Sequence, residues 1–81
     1  MIVLRSEKEL FKLAADMSFI EDKLQQENID DFTREELNEE AARISNILLK
    51  KNYDISMFLY YKDLYKTLSV AEYFEFVKTL K

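Results

Sequence analysis

Residues 6–24 read SEKELFKLAADMSFIEDKL, and this stretch decides the fold. Because an α-helix turns once in about 3.6 residues, apolar side chains at steps of three and four residues line up on one helix face. Such steps connect Leu10, Leu13, Met17, Ile20 and Leu24. The same face is widened by Phe11, Ala14, Ala15 and Phe19. Ser6 and Glu9 have the spacing of a capping box, in which each side chain bonds a backbone amide at the other residue. The stretch predicts an amphipathic helix over residues 6–27.

The same pattern returns after a short polar connector. Thr33 and Glu36 match a second capping box. The apolar residues behind them again step by four and three residues, at Leu37, Ala41, Ile44 and Leu48. This spacing predicts a second helix over residues 33–51, which ends near Asn52.

The last thirty residues hold most of the aromatic side chains. Asp54 or Ser56 can cap a third helix over residues 55–67. Ser69 begins a third capping box, which predicts a fourth helix over residues 69–80. Because neither glycine nor proline stands at the junction, the sequence leaves open whether these two helices are separate or one bent element.

The length and composition fit a small helical domain. The chain has 81 residues, of which 48% are hydrophobic and 35% charged, and it contains no glycine or proline. Hairpin turns of β folds usually need positive φ, so the lack of glycine favours helices. Helices joined by short polar turns pack as antiparallel neighbours. We therefore predict an all-α fold, a small three- to four-helix bundle forming a single domain over residues 1–81, with residues 1–4 as a short extended N-terminal arm.

Missing residue types exclude much catalytic chemistry. The chain lacks cysteine, histidine and glycine, which removes thiol nucleophiles, zinc sites with thiolate or imidazole ligands, and glycine-rich phosphate loops. Acidic residues cluster at Asp30, Asp31, Glu35, Glu36, Glu39 and Glu40. A magnesium site made only of carboxylates stays open, but metal sites in helical bundles usually pair glutamate with histidine. We interpret the cluster as a solvated surface and predict no enzymatic activity, no cofactor and no metal site.

The charge balance argues against a nucleic-acid partner, and the hydropathy pattern argues against a membrane span. A net charge of −4 and a pI near 4.8 repel phosphate backbones on average. Lysines nevertheless surround the turn between the second and third helices, at Lys50, Lys51, Lys62 and Lys66, with Tyr53 among them. Two helices joined by a short turn with lysine and tyrosine fit a helix-turn-helix, or a groove in which tyrosines stack on single-stranded nucleic acid. A small DNA-binding regulator is therefore the alternative function. No apolar run is long enough to span a membrane and the first residues do not match a signal peptide, so we expect a cytoplasmic protein.

The aromatic residues are too many for one helix stripe to bury. Residues 58–65 read FLYYKDLY and residues 73–76 read YFEF. We expect five side chains of this region to close the core: Phe58, Tyr61, Tyr65, Phe74 and Val77. Four others cannot all point inward at helical spacing: Tyr60, Leu64, Tyr73 and Phe76. Since small domains bury only about 60% of their chain surface, and tyrosine is enriched at interfaces, we predict that these four bind another protein, or a second copy in a homodimer.

Composition also indicates an origin. Residues with AT-rich codons (Phe, Tyr, Ile, Asn, Lys) make up 30 of the 81, against 8 with GC-rich codons (Gly, Ala, Pro, Arg), which suggests a low-GC bacterium or its phage or plasmid. In length and composition the chain resembles small helical bacteriocin-immunity proteins and small phage or plasmid accessory proteins, without a motif that carries either resemblance. The sequence therefore predicts a small regulator, inhibitor or accessory protein that acts through an aromatic-rich helical surface, with a bacteriocin-immunity-like bundle as a further alternative.

Overall fold

The computed structural model describes residues 7–80, and these form four α-helices and no strand. The helices are α1 (Glu7–Leu24), α2 (Asp31–Lys50), α3 (Ile55–Thr67) and α4 (Val70–Thr79). The predicted all-α bundle is thereby confirmed. The predicted N-terminal arm and the capping box at Ser6 lie outside the described residues.

The start of α2 differs from the prediction. The helix begins at Asp31, with Asp30 as its N-cap in extended conformation, so Thr33 lies inside the first turn instead of capping it. The Thr33 hydroxyl bonds the Asp30 carboxylate and lowers the pKa of that group. Both residues are good capping types, and the earlier one begins the helix.

The end of α2 is a Schellman motif built on Asn52. Asn52 adopts φ 54°, the left-handed conformation that asparagine tolerates better than most residues. The Tyr53 amide donates to the Leu48 carbonyl at 3.0 Å, and the Asn52 amide donates to the Leu49 carbonyl at 3.2 Å. Tyr53 and Leu48 are both buried, so the turn also places an apolar pair in the core.

The structure answers the question that the sequence left open, because α3 and α4 are separate helices. Ser69 and Glu72 form the predicted capping box: the Ser69 amide donates to Glu72 Oε1 at 2.9 Å, and the Glu72 amide donates to Ser69 Oγ at 3.2 Å. Before it, Leu68 has extended backbone at ψ 139° and ends α3. Leu68 and the capping box at Ser69 therefore separate α3 from α4 without glycine or proline.

Helix α1 is the centre of the bundle and packs against both α2 and α3. Lys51, at the end of α2, lies 2.8 Å from Glu9 near the start of α1, so these two helices are antiparallel. Lys62 in α3 reaches Glu21 near the end of α1 at 2.8 Å, whereas Tyr53, just before α3, bonds Glu9. Helix α3 therefore runs in the same direction as α1, and the first three helices alternate up and down.

Helix α4 joins the bundle through aromatic rings. Phe11 of α1 is fully buried, and its ring centroid lies 5.4 Å from that of Tyr61 in an edge-on arrangement. From α4, Phe76 approaches the Phe11 ring to 4.8 Å and Tyr73 approaches it to 5.5 Å. These ring pairs are the offset and edge-on contacts that aromatic side chains favour.

Within α4, Phe74 and Phe76 exchange the places expected for them. Phe74, predicted to close the core, is exposed, and Phe76, predicted to point away from it, packs against the core. The reason is the rotation of α4: its inward face carries Tyr73, Phe76 and Val77, which meet the rings of α1 and α3. The other predicted core aromatics keep their place, with Phe58 and Tyr61 buried and Tyr65 half-buried.

Candidate protein-binding surface

The side of α1 that faces away from the core carries a straight line of four side chains. These are Lys12, Asp16, Phe19 and Lys23, at steps of four, three and four residues. Phe19 is 51% exposed although it is aromatic, and the Lys23 ammonium lies over its ring, 5.4 Å from the centroid. The line therefore combines three charged side chains with one large apolar side chain.

A groove lies on the α4 side of this line. The groove encloses about 540 Å³, with α1 on one side and the end of α3 and the start of α4 on the other. Its walls include Phe19, Val70 and Phe74, of which Val70 is 75% and Phe74 58% exposed. Tyr65 and Tyr73 line the deeper part. Large apolar side chains thus converge on a concave surface instead of being scattered.

A second groove lies on the α2 side of the same line. It encloses about 380 Å³ and is lined by Phe19 and Lys23 of α1, by Ile29 and Asp30 of the connector, and by Leu37 of α2, among others. Phe19 belongs to both grooves and separates them. We call the line on α1 together with its two flanking grooves the Phe19 surface.

Electrostatics at the Phe19 surface centre on Asp16. Solvent reaches this residue, but partial burial raises the pKa of its carboxyl. The negative charge of Glu40 raises this pKa further, whereas the positive charges of Arg43 and Lys12 lower it. Burial also raises the pKa of the Tyr73 hydroxyl, with Asp16 as a second cause. Within residues 7–80, the Asp16 carboxylate makes no hydrogen bond or ion pair, so it remains available to a partner.

The four residues predicted to bind a partner are not brought together. Tyr73 lines the α4-side groove, where its ring packs 5.7 Å from Tyr65. Tyr60 is 58% exposed on α3 but lines neither groove. Leu64 and Phe76 are half-buried and pack against the core. Their role in partner binding stays a prediction.

Sequence reasoning missed the three most prominent apolar side chains of the Phe19 surface. The sequence pattern assigns Phe19 to the buried stripe of α1 and Phe74 to the core. The charges in line with Phe19 were the usable signal, because Lys12 and Lys23 at helical spacing mark a face that water reaches. For Val70 the signal was its position in the first turn of α4, next to an exposed cap.

The lysines of the predicted helix-turn-helix junction are partly engaged in ion pairs. Lys51 contacts Glu9, and Lys62, whose side chain is largely covered, contacts Glu21 and lies over the Phe58 ring. Phosphate binding by these two lysines would compete with carboxylates of the same chain. The turn between α2 and α3 therefore presents less free positive charge than its sequence suggests.

Comparisons with family models, curated proteins and solved structures find no match for this chain. Across residues 7–80, the structure contains no group of three acidic side chains placed to hold a metal ion. None of the four described helices combines the length and the apolar character that crossing a membrane requires. The functional argument therefore rests on the geometry of the Phe19 surface.

Proposed function

We propose that this protein is a non-enzymatic protein–protein interaction module that binds its partner through the Phe19 surface. One observation carries the proposal: Phe19, Val70 and Phe74 are each at least half exposed and converge on one groove of about 540 Å³. Exposed apolar side chains gain free energy when a partner removes them from water, by about 25 cal/mol per Å². Clustered aromatic anchors beside a groove are typical of protein interfaces.

The polar groups around the groove support the same function. Asp16 and Asp22 stand on its α1 wall and Lys66 on its α3 wall. Charged groups at the rim of an apolar patch set the register and orientation of a partner. A small regulator, inhibitor or accessory protein needs such a surface and no catalytic group, and the AT-rich-codon composition supports an origin in a low-GC bacterium, phage or plasmid.

The proposed contact contains one of the residues predicted from sequence. Tyr73 lies in the groove beside Phe74, with ring centroids 5.4 Å apart. The half-burial of Leu64 and Phe76 favours a packing role for them. Tyr60 remains a candidate for a separate contact on α3.

The test compares three phenylalanine-to-alanine variants. Phe19→Ala and Phe74→Ala remove anchors of the groove, and Phe32→Ala is the matched control, because Phe32 is 67% exposed and lines neither groove. Tagged proteins are used to capture partners from extracts of the source cells, and the affinity for each purified partner is then measured. We expect Phe19→Ala and Phe74→Ala to weaken binding about 10- to 100-fold and Phe32→Ala to leave it unchanged. Equal binding by all three variants would contradict the proposal.

A further inference from the structure

We propose that the partner at the Phe19 surface is a second copy of this chain, bound with its α1 antiparallel to the first α1 about a two-fold axis at Phe19. The inference rests on the proposed function and names the partner of that same surface. In such a dimer, Asp16 of each protomer pairs with the partner's Lys23, and the two Phe19 rings meet at the centre.

The order of side chains along α1 is self-complementary. A two-fold contact must be reciprocal, so that each residue faces one at a similar distance beyond the axis and on the same side of the helix. Asp16 lies three residues before Phe19 and Lys23 four residues after it, which corresponds to about 4.5 and 6 Å along the helix. At about 100° per residue, Asp16 and Lys23 also lie on the same side of Phe19 around the helix, whereas Asp22 lies on the other side. Turning one copy by 180° therefore places its lysine close to the carboxylate of the other at two equivalent contacts.

Neither member of this pair forms an ion pair within residues 7–80. Four acidic side chains of residues 7–80 do form one, in the ion pairs Glu9–Lys51, Glu21–Lys62, Glu40–Arg43 and Glu75–Lys78. Arg43 and Lys12 act on the Asp16 carboxylate only through space. Asp16 has no ion pair within the described part of the chain, and Lys23 lies only over the Phe19 ring. Asp16 and Lys23 stand seven residues apart, about 10 Å along α1, and so cannot pair with each other within one helix.

The same two-fold axis also accounts for the exposed side chains of α4. This axis is perpendicular to α1 and lies in the plane of the contact. It therefore places each helix at the contact against the same helix of the other protomer. Helix α4 lies beside α1 across the groove, so Val70 and Phe74 of both protomers enter the contact. The dimer then removes Phe19, Val70 and Phe74 from water, three of the large apolar side chains that are exposed in the described part of the monomer.

Charge reversal tests the inference, because only a contact between copies predicts rescue on mixing. The mass of the full chain is measured by sedimentation over a range of concentrations. We expect a dimer for the native chain, and association weakened by about tenfold or more for Asp16→Lys or Lys23→Asp alone, because each places two like charges in contact. An equimolar mixture of these two variants should associate as a heterodimer, since a lysine of one chain then faces an aspartate of the other at both contacts.

The controls separate surface effects from folding. Asp63→Lys reverses an exposed charge on α3 outside both grooves and should leave association unchanged. Phe19→Ala changes no charge and should weaken association by about tenfold or more. Circular dichroism of each variant checks that the helices are retained, and an unfolded charge variant leaves Phe19→Ala as the deciding measurement.

Three results would overturn the inference. The first is a native chain that stays monomeric at every concentration, the second is a failure of the mixed variants to associate better than either alone, and the third is association that Phe19→Ala does not weaken. A monomer that nevertheless loses a captured partner on Phe19→Ala would refute the dimer and leave the proposed function in place. Association that is insensitive to Phe19→Ala would place the contact between copies elsewhere and leave the proposed function to the test with captured partners.

Discussion

Helices α1 and α2 have similar sequence patterns and different environments. Helix α1 has 18 residues and buries seven of them. One of these is Ser18, whose hydroxyl has no hydrogen-bond partner among the described residues. Helix α2 has 20 residues and buries two, Ile44 and Leu48, both in its second half. Apolar spacing predicts which face of a helix turns inward, but the number of helices that cover the face decides how much of it is buried.

The difference follows from position in the bundle. Helix α1 is in contact with α2, with α3 and with the rings of α4. Helix α2 packs extensively against α1 and against no other described helix. Only the side of α1 marked by Lys12, Asp16, Phe19 and Lys23 remains open. The one large apolar side chain on that open side is therefore the residue most in need of a functional explanation.

The largest expected effect on stability is at Phe11, in the most buried part of α1. Phe11→Ala removes a fully buried ring that contacts two helices, so we expect the free energy of unfolding to fall by about 3–5 kcal/mol. Leu37→Ala, in the sparsely buried half of α2, should cost only about 1 kcal/mol, because Leu37 is half-buried. Urea denaturation measures both values. Phe11→Leu offers a milder change if the alanine variant does not fold, and equal losses at Phe11 and Leu37 would contradict the unequal roles of the two helices.

A smaller effect concerns α4, which buries no residue completely. Its start depends on the capping box, so Ser69→Ala should lower the free energy of unfolding by about 1 kcal/mol. Because α4 is held mainly by rings, the loss of its cap should increase amide hydrogen exchange in α4 more than in α1. Ser45→Ala, an exposed serine inside α2, is the control: the higher helix propensity of alanine should raise the free energy of unfolding slightly, and exchange in α4 should not change. Unchanged exchange in α4 would show that the rings alone fix the helix.

The sequence predicts the helices well and their rotations poorly. The bounds of α3 agree with the prediction because Asp54 caps the helix, accepting from the Ser56 amide at 2.8 Å, and few other residues compete for that role. At the start of α2, Asp30 and Thr33 are both suitable caps, and local preference does not choose between them. In α4, apolar side chains occupy more than half of the helix circumference, so its own pattern does not select which of them face the core. Phe76 turns inward because it packs against rings of α1 and α3, which are distant in sequence, and Phe74 is left exposed.

The grooves of the Phe19 surface were beyond prediction for a related reason. The stripe of α1 predicts burial for Phe19 and Leu24 alike. Lys12 and Lys23 mark a side of the helix that water reaches, but nothing local says that grooves form beside it. That information exists only once α2, α3 and α4 occupy the other sides. A site formed by what the bundle leaves uncovered therefore depends on the complete arrangement of helices.

The smallest expected effect concerns the link between the end of α2 and the start of α1. Hydrogen bonds from Lys51 and Tyr53 hold the pKa of the Glu9 carboxyl below its usual value. A carboxyl whose pKa is lower in the folded chain stabilises the fold at pH values above its unfolded pKa, about 4.3, and this contribution is lost as the pH falls through the folded pKa. Glu9→Gln should therefore destabilise the protein at neutral pH, and the difference from the native chain should shrink below about pH 4.

The size of this effect is limited by water, because Glu9 and Lys51 keep 37% and 48% of their side chains exposed. Exposed ion pairs contribute at most about 1 kcal/mol, and salt screens them further. Thermal unfolding of the native chain and Glu9→Gln between about pH 3 and pH 7 measures the difference, with Glu27→Gln, an exposed residue beyond the end of α1, as the control. A difference that stays constant over this range would mean that the Glu9 side chain acts through packing and not through its charge. A difference that grows toward acid would contradict the sign of the pKa shift, and with it the role of Lys51 and Tyr53 in joining the lightly buried α2 to the centre of the bundle.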